Sequence, residues 1–199
     1  MKKHIPLLVS LFLVQFIAVA QSSWKSPEYK PEVYRKVMVL VKTTDELIKR
    51  QVEDATVALF KEKGIEAIQA YSNIVESDLT SEDALIQKAD VLGVDALLVY
   101  NIVGNDTAFK NTPLINASVG IPVRVGIFGG FLGTNVPIAG GAKTVKTIKV
   151  TASFYNRSSK SMQWSIPLSG KLKGDNSKLA NTFAKKTVSA MINDNLFSL

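Results

Sequence analysis

The chain has 199 residues, with 24 Lys and Arg against 17 Asp and Glu, one His and no Cys. His4 lies in the apolar N-terminal stretch; everything after it lacks His and Cys, which excludes thiol nucleophiles, disulfides, Ser-His-Asp triads and imidazole- or thiolate-based metal sites. The lysines are scattered and form no basic run interleaved with aromatics, so nucleic-acid binding is not indicated; a solvated surface with mild affinity for anionic envelope polymers is.

Lys2 and Lys3, the apolar stretch from Ile5 to Ile17 and the Ala18-Val19-Ala20 triplet read as a bacterial secretory signal peptide over 1–20. Cleavage is expected between Ala20 and Gln21. The stretch is short for a membrane span, which needs roughly 20 apolar residues. No Cys follows it, so lipoprotein acylation is closed. The mature chain is expected to be exported, to the periplasm or the cell exterior. Loss of Lys2 and Lys3 leaves 22 basic against 17 acidic residues, a net charge of +5. Without disulfides its stability must come from one sizeable core.

Residues 21–33 hold two prolines, Pro27 and Pro31, and no periodicity; they read as an extended leader with Trp24 as its anchor on the domain or on a partner. A single α/β domain is expected over 34–199. The run Val37 to Val41 suits a strand buried on both faces. Thr43-Thr44-Asp45-Glu46 reads as a capping box for a helix that buries Ile48, Val52, Ala55 and Leu59 and stops at Gly64. Ile65 to Tyr71 alternates as a second strand. Thr80 to Asp83 caps a second helix carrying Leu85, Ala89 and Leu92, which ends at Gly93. Asp95 to Val103 is a third apolar strand. This order predicts three parallel strands with right-handed crossovers.

Residues 105–144 read as a Gly-rich insertion, polar and turn-rich at first, then a strand with Ile121, Val123, Val125 and Ile127 on one face. Ile148, Val150, Ala152 and Phe154 mark the next strand. After the turn Asn156 to Lys160, Met162, Trp164, Ile166 and Leu168 supply a matching apolar face. A last helix, capped at Asn176 or Ser177, turns Leu179, Phe183, Thr187, Val188, Met191 and Ile192 inward. The expected fold is one α/β domain of two or three layers. Its mixed sheet of about five or six strands runs β-α-β-α-β, then an antiparallel β-β-β meander, then a C-terminal helix.

The glycine-rich stretch Gly126 to Thr144 satisfies neither phosphate-binding pattern. Ala142 stands where a Walker A loop needs glycine before Lys143-Thr144, and Gly126, Gly129, Gly130 and Gly133 have the wrong spacing for a dinucleotide fingerprint. Both patterns also need a helix next in the chain, whereas Val145 to Tyr155 alternates as a strand. From Leu114 to Ala142 the single charge is Arg124, among Phe128, Phe131, Leu132, Val136, Pro137 and Ile138. The stretch is a contact surface or a hairpin folded back over the sheet. Arg124 in mid-strand argues against a membrane-inserting hairpin.

Glu53-Asp54 and Glu82-Asp83 are adjacent on helices, point about 100° apart and read as solvated surface. No calcium-loop spacing occurs. Ser159-Lys160 sits in a turn with no partner for hydrolase chemistry. Trp164 falls in phase with core residues. The sequons at Asn105, Asn116 and Asn156 read as chance matches.

The stretches Ser23-Trp-Lys-Ser-Pro27, Tyr34-Arg-Lys-Val-Met-Val-Leu-Val41, Val52-Glu-Asp-Ala55, Lys63-Gly-Ile-Glu-Ala67, Gly93-Val-Asp-Ala-Leu-Leu-Val99, Phe154-Tyr-Asn156 and Gln163-Trp-Ser165 resemble a group of uncharacterised exported bacterial envelope proteins. The resemblance covers most of Trp24 to Leu199. The element order is also distantly similar to the periplasmic domain of the curli-assembly channel lipoprotein and to the amino-terminal domain of TolB. Many relatives are lipoproteins, and this chain departs from them by lacking the cysteine. The resemblance implies no catalytic residue.

The expected function is therefore that of a non-enzymatic exported envelope protein, a binding or assembly module with no catalytic, metal or cofactor residues. Its contact surface would be Trp24, Arg124, Phe128, Phe131, Leu132, Val136 and Ile138, and its partner an envelope protein, a second copy or the membrane surface. The alternative is a hydrolase-type enzyme or small-ligand carrier with a site at the carboxyl ends of the parallel strands, near Thr43, Ser72 and Asn101.

Overall fold

The structure is a computed structural model and describes residues 22–108, 145–171 and 176–197. The expected signal peptide, the expected cleavage point at Ala20–Gln21 and most of the insertion, including Arg124, Phe128, Phe131, Leu132, Val136 and Ile138, lie outside the described residues.

Among the described residues nine elements succeed one another: β1 (Trp24–Lys25), β2 (Lys36–Lys42), α1 (Glu46–Glu62), β3 (Glu66–Gln69), α2 (Glu82–Val91), β4 (Ala96–Ala108), β5 (Val145–Asn156), β6 (Ser161–Lys171) and α3 (Asn176–Asn193), with one 3-10 turn at Glu76–Leu79. The strands make one mixed sheet in the order β1-β6-β5-β4-β2-β3. β2 runs parallel to both β3 and β4, while β4-β5-β6 is an antiparallel meander. The expected α/β fold with a mixed sheet is what forms.

β2 sits between two parallel neighbours and is covered on both faces, which is why Val37 to Val41 is apolar without alternation. Val37, Val39 and Val41 face α1 and α3 together with Phe154, Trp164 and Ile166. Met38 and Leu40 face α2 together with Leu97 and Val99. Three layers result. Both α1 and α2 stop at glycines in the left-handed region, Gly64 at φ 76° and Gly93 at φ 66°.

Several local expectations are corrected. The N-cap of α1 is Asp45, whose carboxylate accepts the Leu47 and Ile48 N–H groups, while the Thr43 hydroxyl instead accepts the Asp45 N–H. Ser81 caps α2 by accepting the Ala84 N–H. A carboxylate or hydroxyl directly before the first turn reaches those donors, and a residue one or two places earlier does not. The buried stripe of α1 is Val52, Glu53, Thr56, Val57 and Phe60, with Ile48, Ala55 and Leu59 half-buried beside it. The helix is rotated because it packs against the sheet and α3 together. Glu53 is thus core and not solvated surface. Between β5 and β6 the register slips after Phe154: Phe154 and Tyr155 pair with Trp164 and Met162. The extra residue, Gln163, puts Met162 on the α2 face and Trp164 on the α1 and α3 face, so the two do not share one side.

β4 continues through Asn105 to Ala108, the start of the stretch read as turn-rich, and pairs with β5 as far as Ala108↔Val145. Segment 109–144 therefore joins the adjacent ends of two neighbouring strands.

Candidate interaction surface

The leader is the outermost strand of the sheet. Trp24 pairs with Ser165 and Lys25 with Trp164, and the Ser26 N–H donates to the Gln163 carbonyl at 2.8 Å. That bond shows which backbone groups of β6 face outward: those of Gln163, and by alternation those of Ser165 and Pro167. Proline has no N–H to leave unpaired, so an outer-edge position suits it.

Paired residues of an antiparallel ladder share a sheet face. Lys25 therefore lies on the face of Trp164, towards the end of α3. Trp24 lies with Ser165, Ser153 and Val99 on the α2 face. Its cross-strand neighbours there, Ser165 and Ser153, are small, and Trp24 stays 44% exposed although its backbone is in the ladder.

Side chains then fasten the leader to the end of α3. Asp194 Oδ2 accepts the Trp164 indole N–H at 2.6 Å and also the Ser23 hydroxyl. Lys25 Nζ donates to the Asp194 carbonyl at 2.7 Å and lies 4.2 Å from the centroid of the Tyr29 ring. The Tyr29 hydroxyl donates to the Leu196 carbonyl at 3.2 Å. A cation on a helix C-terminal carbonyl is favoured by the helix dipole. Below this junction Phe197 meets Tyr34, Phe60 and Phe154 edge-to-face. Trp164 itself is 0% exposed, as its phase predicted.

The carboxyl ends of the parallel strands hold a different arrangement. Where β3 turns away from β2, Glu53 fills the gap: Oε1 accepts the Val41 N–H at 3.0 Å and Oε2 the Tyr71 N–H at 2.8 Å. Glu53 is 0% exposed, and burial pushes its carboxyl up to about 7, against the opposing pull of the backbone donors and Lys49. Both oxygens are occupied and neither reaches solvent, so this carboxyl joins strand ends and is closed to a substrate. Outside it, the Asp54 carboxylate accepts from the Tyr71 hydroxyl and the Gln69 amide, and Arg50 lies 5.5 Å over the Tyr71 ring. Of the three residues that marked this edge in the sequence, Thr43 and Ser72 serve local turns and Asn101 is half-buried on β4. Lys42, at the end of β2, is held below its ordinary value by burial.

A cavity of about 240 Å³ opens at the opposite, amino end of the parallel strands, lined by Val33, Tyr34, Arg35, Gly64, Ile65, Glu66 and Phe197. It lies below the roughly 300–1,000 Å³ of small-molecule pockets. Among the described residues no three His, Cys, Asp or Glu side chains group as metal ligands, and no helix is long and apolar enough to cross a membrane.

Sequence reasoning marked Trp24 and missed Asp194, which meets residues 171 positions away and carries no local signal. It also missed Glu53, although the stripe Val52, Thr56 and Phe60 beside it could have placed that residue near the core.

No protein-family model matches the chain, and the comparison with curated proteins gives no match. Solved structures align with much of the chain. PelC from Paraburkholderia phytofirmans, a dodecamer, is 11% identical at a TM-score of 0.48, over 85% of this chain and 94% of its own. Lipoprotein GNA1162 from Neisseria meningitidis is 15% identical at a TM-score of 0.42, over 79% of this chain and 98% of its own. A minor lipoprotein from Acinetobacter baumannii is 8% identical at a TM-score of 0.31, over 81% of this chain and 94% of its own.

Proposed function

We propose that the chain is a non-enzymatic exported protein of the bacterial envelope that acts as a binding or assembly module, with the Trp24 edge as part of its contact surface. The observation that carries this reading is the placement of Trp24. A large aromatic ring is left 44% exposed on a strand that backbone pairing and a set of side-chain bonds hold still. A ring fixed in this way loses little conformational freedom when a partner covers it, which is how aromatic anchors dominate interfaces. Segment 109–144, with Arg124 as the single charge between Leu114 and Ala142, supplies the second part of the surface. Its partner is an envelope protein or a second copy of the chain.

The test is a photo-crosslinking amino acid at position 24, irradiated in intact cells, followed by mass spectrometry of the adducts. Specific adducts with one envelope protein or with the chain itself are the expected result. Irradiation that yields no adduct above the level from exposed position 91 refutes the assignment. Deleting residues 129–141 should preserve folding and abolish the adduct.

A further inference from the structure

We infer that Asp194 is the latch that positions the Trp24 surface, so that this surface is completed only when the last turn of α3 is in place. The inference rests on the contact reading above for its functional meaning and on geometry for the latch itself. β1 pairs with β6 over only two residues, Trp24 and Lys25. A two-residue edge strand is too short to hold itself in place. Beyond the Ser26 N–H bond to the Gln163 carbonyl and the Asn156 amide bond to Glu32, the amino-terminal end of the leader is held at the end of α3: Asp194 Oδ2 joins Ser23 to the Trp164 indole, the Asp194 carbonyl takes Lys25 Nζ, and the Leu196 carbonyl takes the Tyr29 hydroxyl. All of these bonds between leader and helix end span more than 160 positions, so nothing local to the leader can form them. Asp194 acts through Ser23 and Trp164 and is a positioning residue.

Trypsin reads the latch directly. The Lys25–Ser26 bond carries the N–H that donates to the Gln163 carbonyl, so its cleavage requires the leader to leave the sheet. Lys30 precedes Pro31 and resists the protease, which leaves Lys25 as the leader's reporter. In the full exported chain, Asp194→Ala should raise the cleavage rate at Lys25–Ser26 at least tenfold more than at Lys36 in β2, whose cleavage reports the global loss from the unpaired Trp164 indole. Ser23→Ala combined with Tyr29→Phe removes two of the bonds from half-buried positions and keeps the Tyr29 ring that packs on the core, and should raise the same rate in the same direction. If neither variant raises it, the latch is refuted. Each variant is then combined with the crosslinker at position 24. Leader release with loss of adducts supports latch and contact together. Leader release with undiminished adducts supports the latch and refutes the need for a held Trp24 in the contact.

Discussion

Replacing Glu53 by glutamine separates what the buried carboxyl contributes as a proton acceptor from what it contributes by shape. Its ordinary value of 4.5 is raised by burial to about 7. That difference corresponds to roughly 3 kcal/mol. The sign follows from linkage: between these two pH values the folded chain keeps a proton that the unfolded chain releases. The stabilisation is therefore fully present below 4.5 and is lost as pH rises through about 7. Glutamine cannot titrate, but its amide NH2 must face either the Val41 or the Tyr71 N–H, and a buried donor left unpaired costs about 1–3 kcal/mol. A protonated carboxyl meets less of this conflict, because its hydroxyl oxygen still accepts and carries one donor where the amide nitrogen carries two. At pH 5 the Glu53→Gln variant should be less stable than the parent by that amount, and by pH 8 the gap should close or reverse. Urea unfolding followed by the emission of the buried Trp164 measures both proteins across this range, and groups common to the two cancel in the difference. Stability curves that run parallel from pH 5 to pH 8 would show that the backbone donors keep the carboxylate ionised and would overturn the reasoning.

Other substitutions probe separate parts of the molecule. Covering the exposed 44% of the Trp24 ring removes on the order of 100 Å² from water, worth roughly 2–3 kcal/mol. Trp24→Ala should thus lower affinity for the crosslinked partner by about 30- to 150-fold in a titration, with thermal stability little changed. At Gly170 an added Cβ would stand 2.2 Å from Leu179 Cδ1 and 3.2 Å from the Phe183 ring. Gly170→Ala should cost about 1–3 kcal/mol in urea unfolding, since Leu179 can turn aside but the ring must shift. The Tyr100 hydroxyl lies 3.0 Å from that of Thr56 inside the core, and burial pushes it up to about 12. Tyr100→Phe leaves Thr56 still bonded to the Val52 carbonyl and should cost only about 0.5–1.5 kcal/mol by the same assay.

The parts of the fold written in local pattern were legible. The unbroken apolar run at Val37 to Val41 suited a doubly covered strand, and Gly64 and Gly93 closed their helices at positive φ where expected. What failed depended on contacts the pattern does not encode. Polarity assigned Glu53 to solvent, but the place where β3 leaves β2 exposes two N–H groups that need an acceptor. Nothing in the sequence of α1 announces that gap. Alternation assumed a regular β6, and one extra residue at Gln163 reversed the side of Met162. At the candidate surface Trp24 stood out as a lone aromatic in a polar leader. Its clamp did not, because Asp194 looks like any polar residue after a helix until the fold brings Ser23 beside it.

Pro167 bears on a hazard common to proteins with open sheets. Edge strands present unpaired N–H groups that can template the addition of strands from other molecules and seed aggregation. The leader covers the outer groups of Gln163 and Ser165, and the proline removes the next donor in the row. Growth of the sheet by backbone pairing is thereby checked on the side where Trp24 is displayed. Association there is left to side-chain recognition. The molecule can present an aromatic contact at a sheet edge without inviting indiscriminate polymerisation.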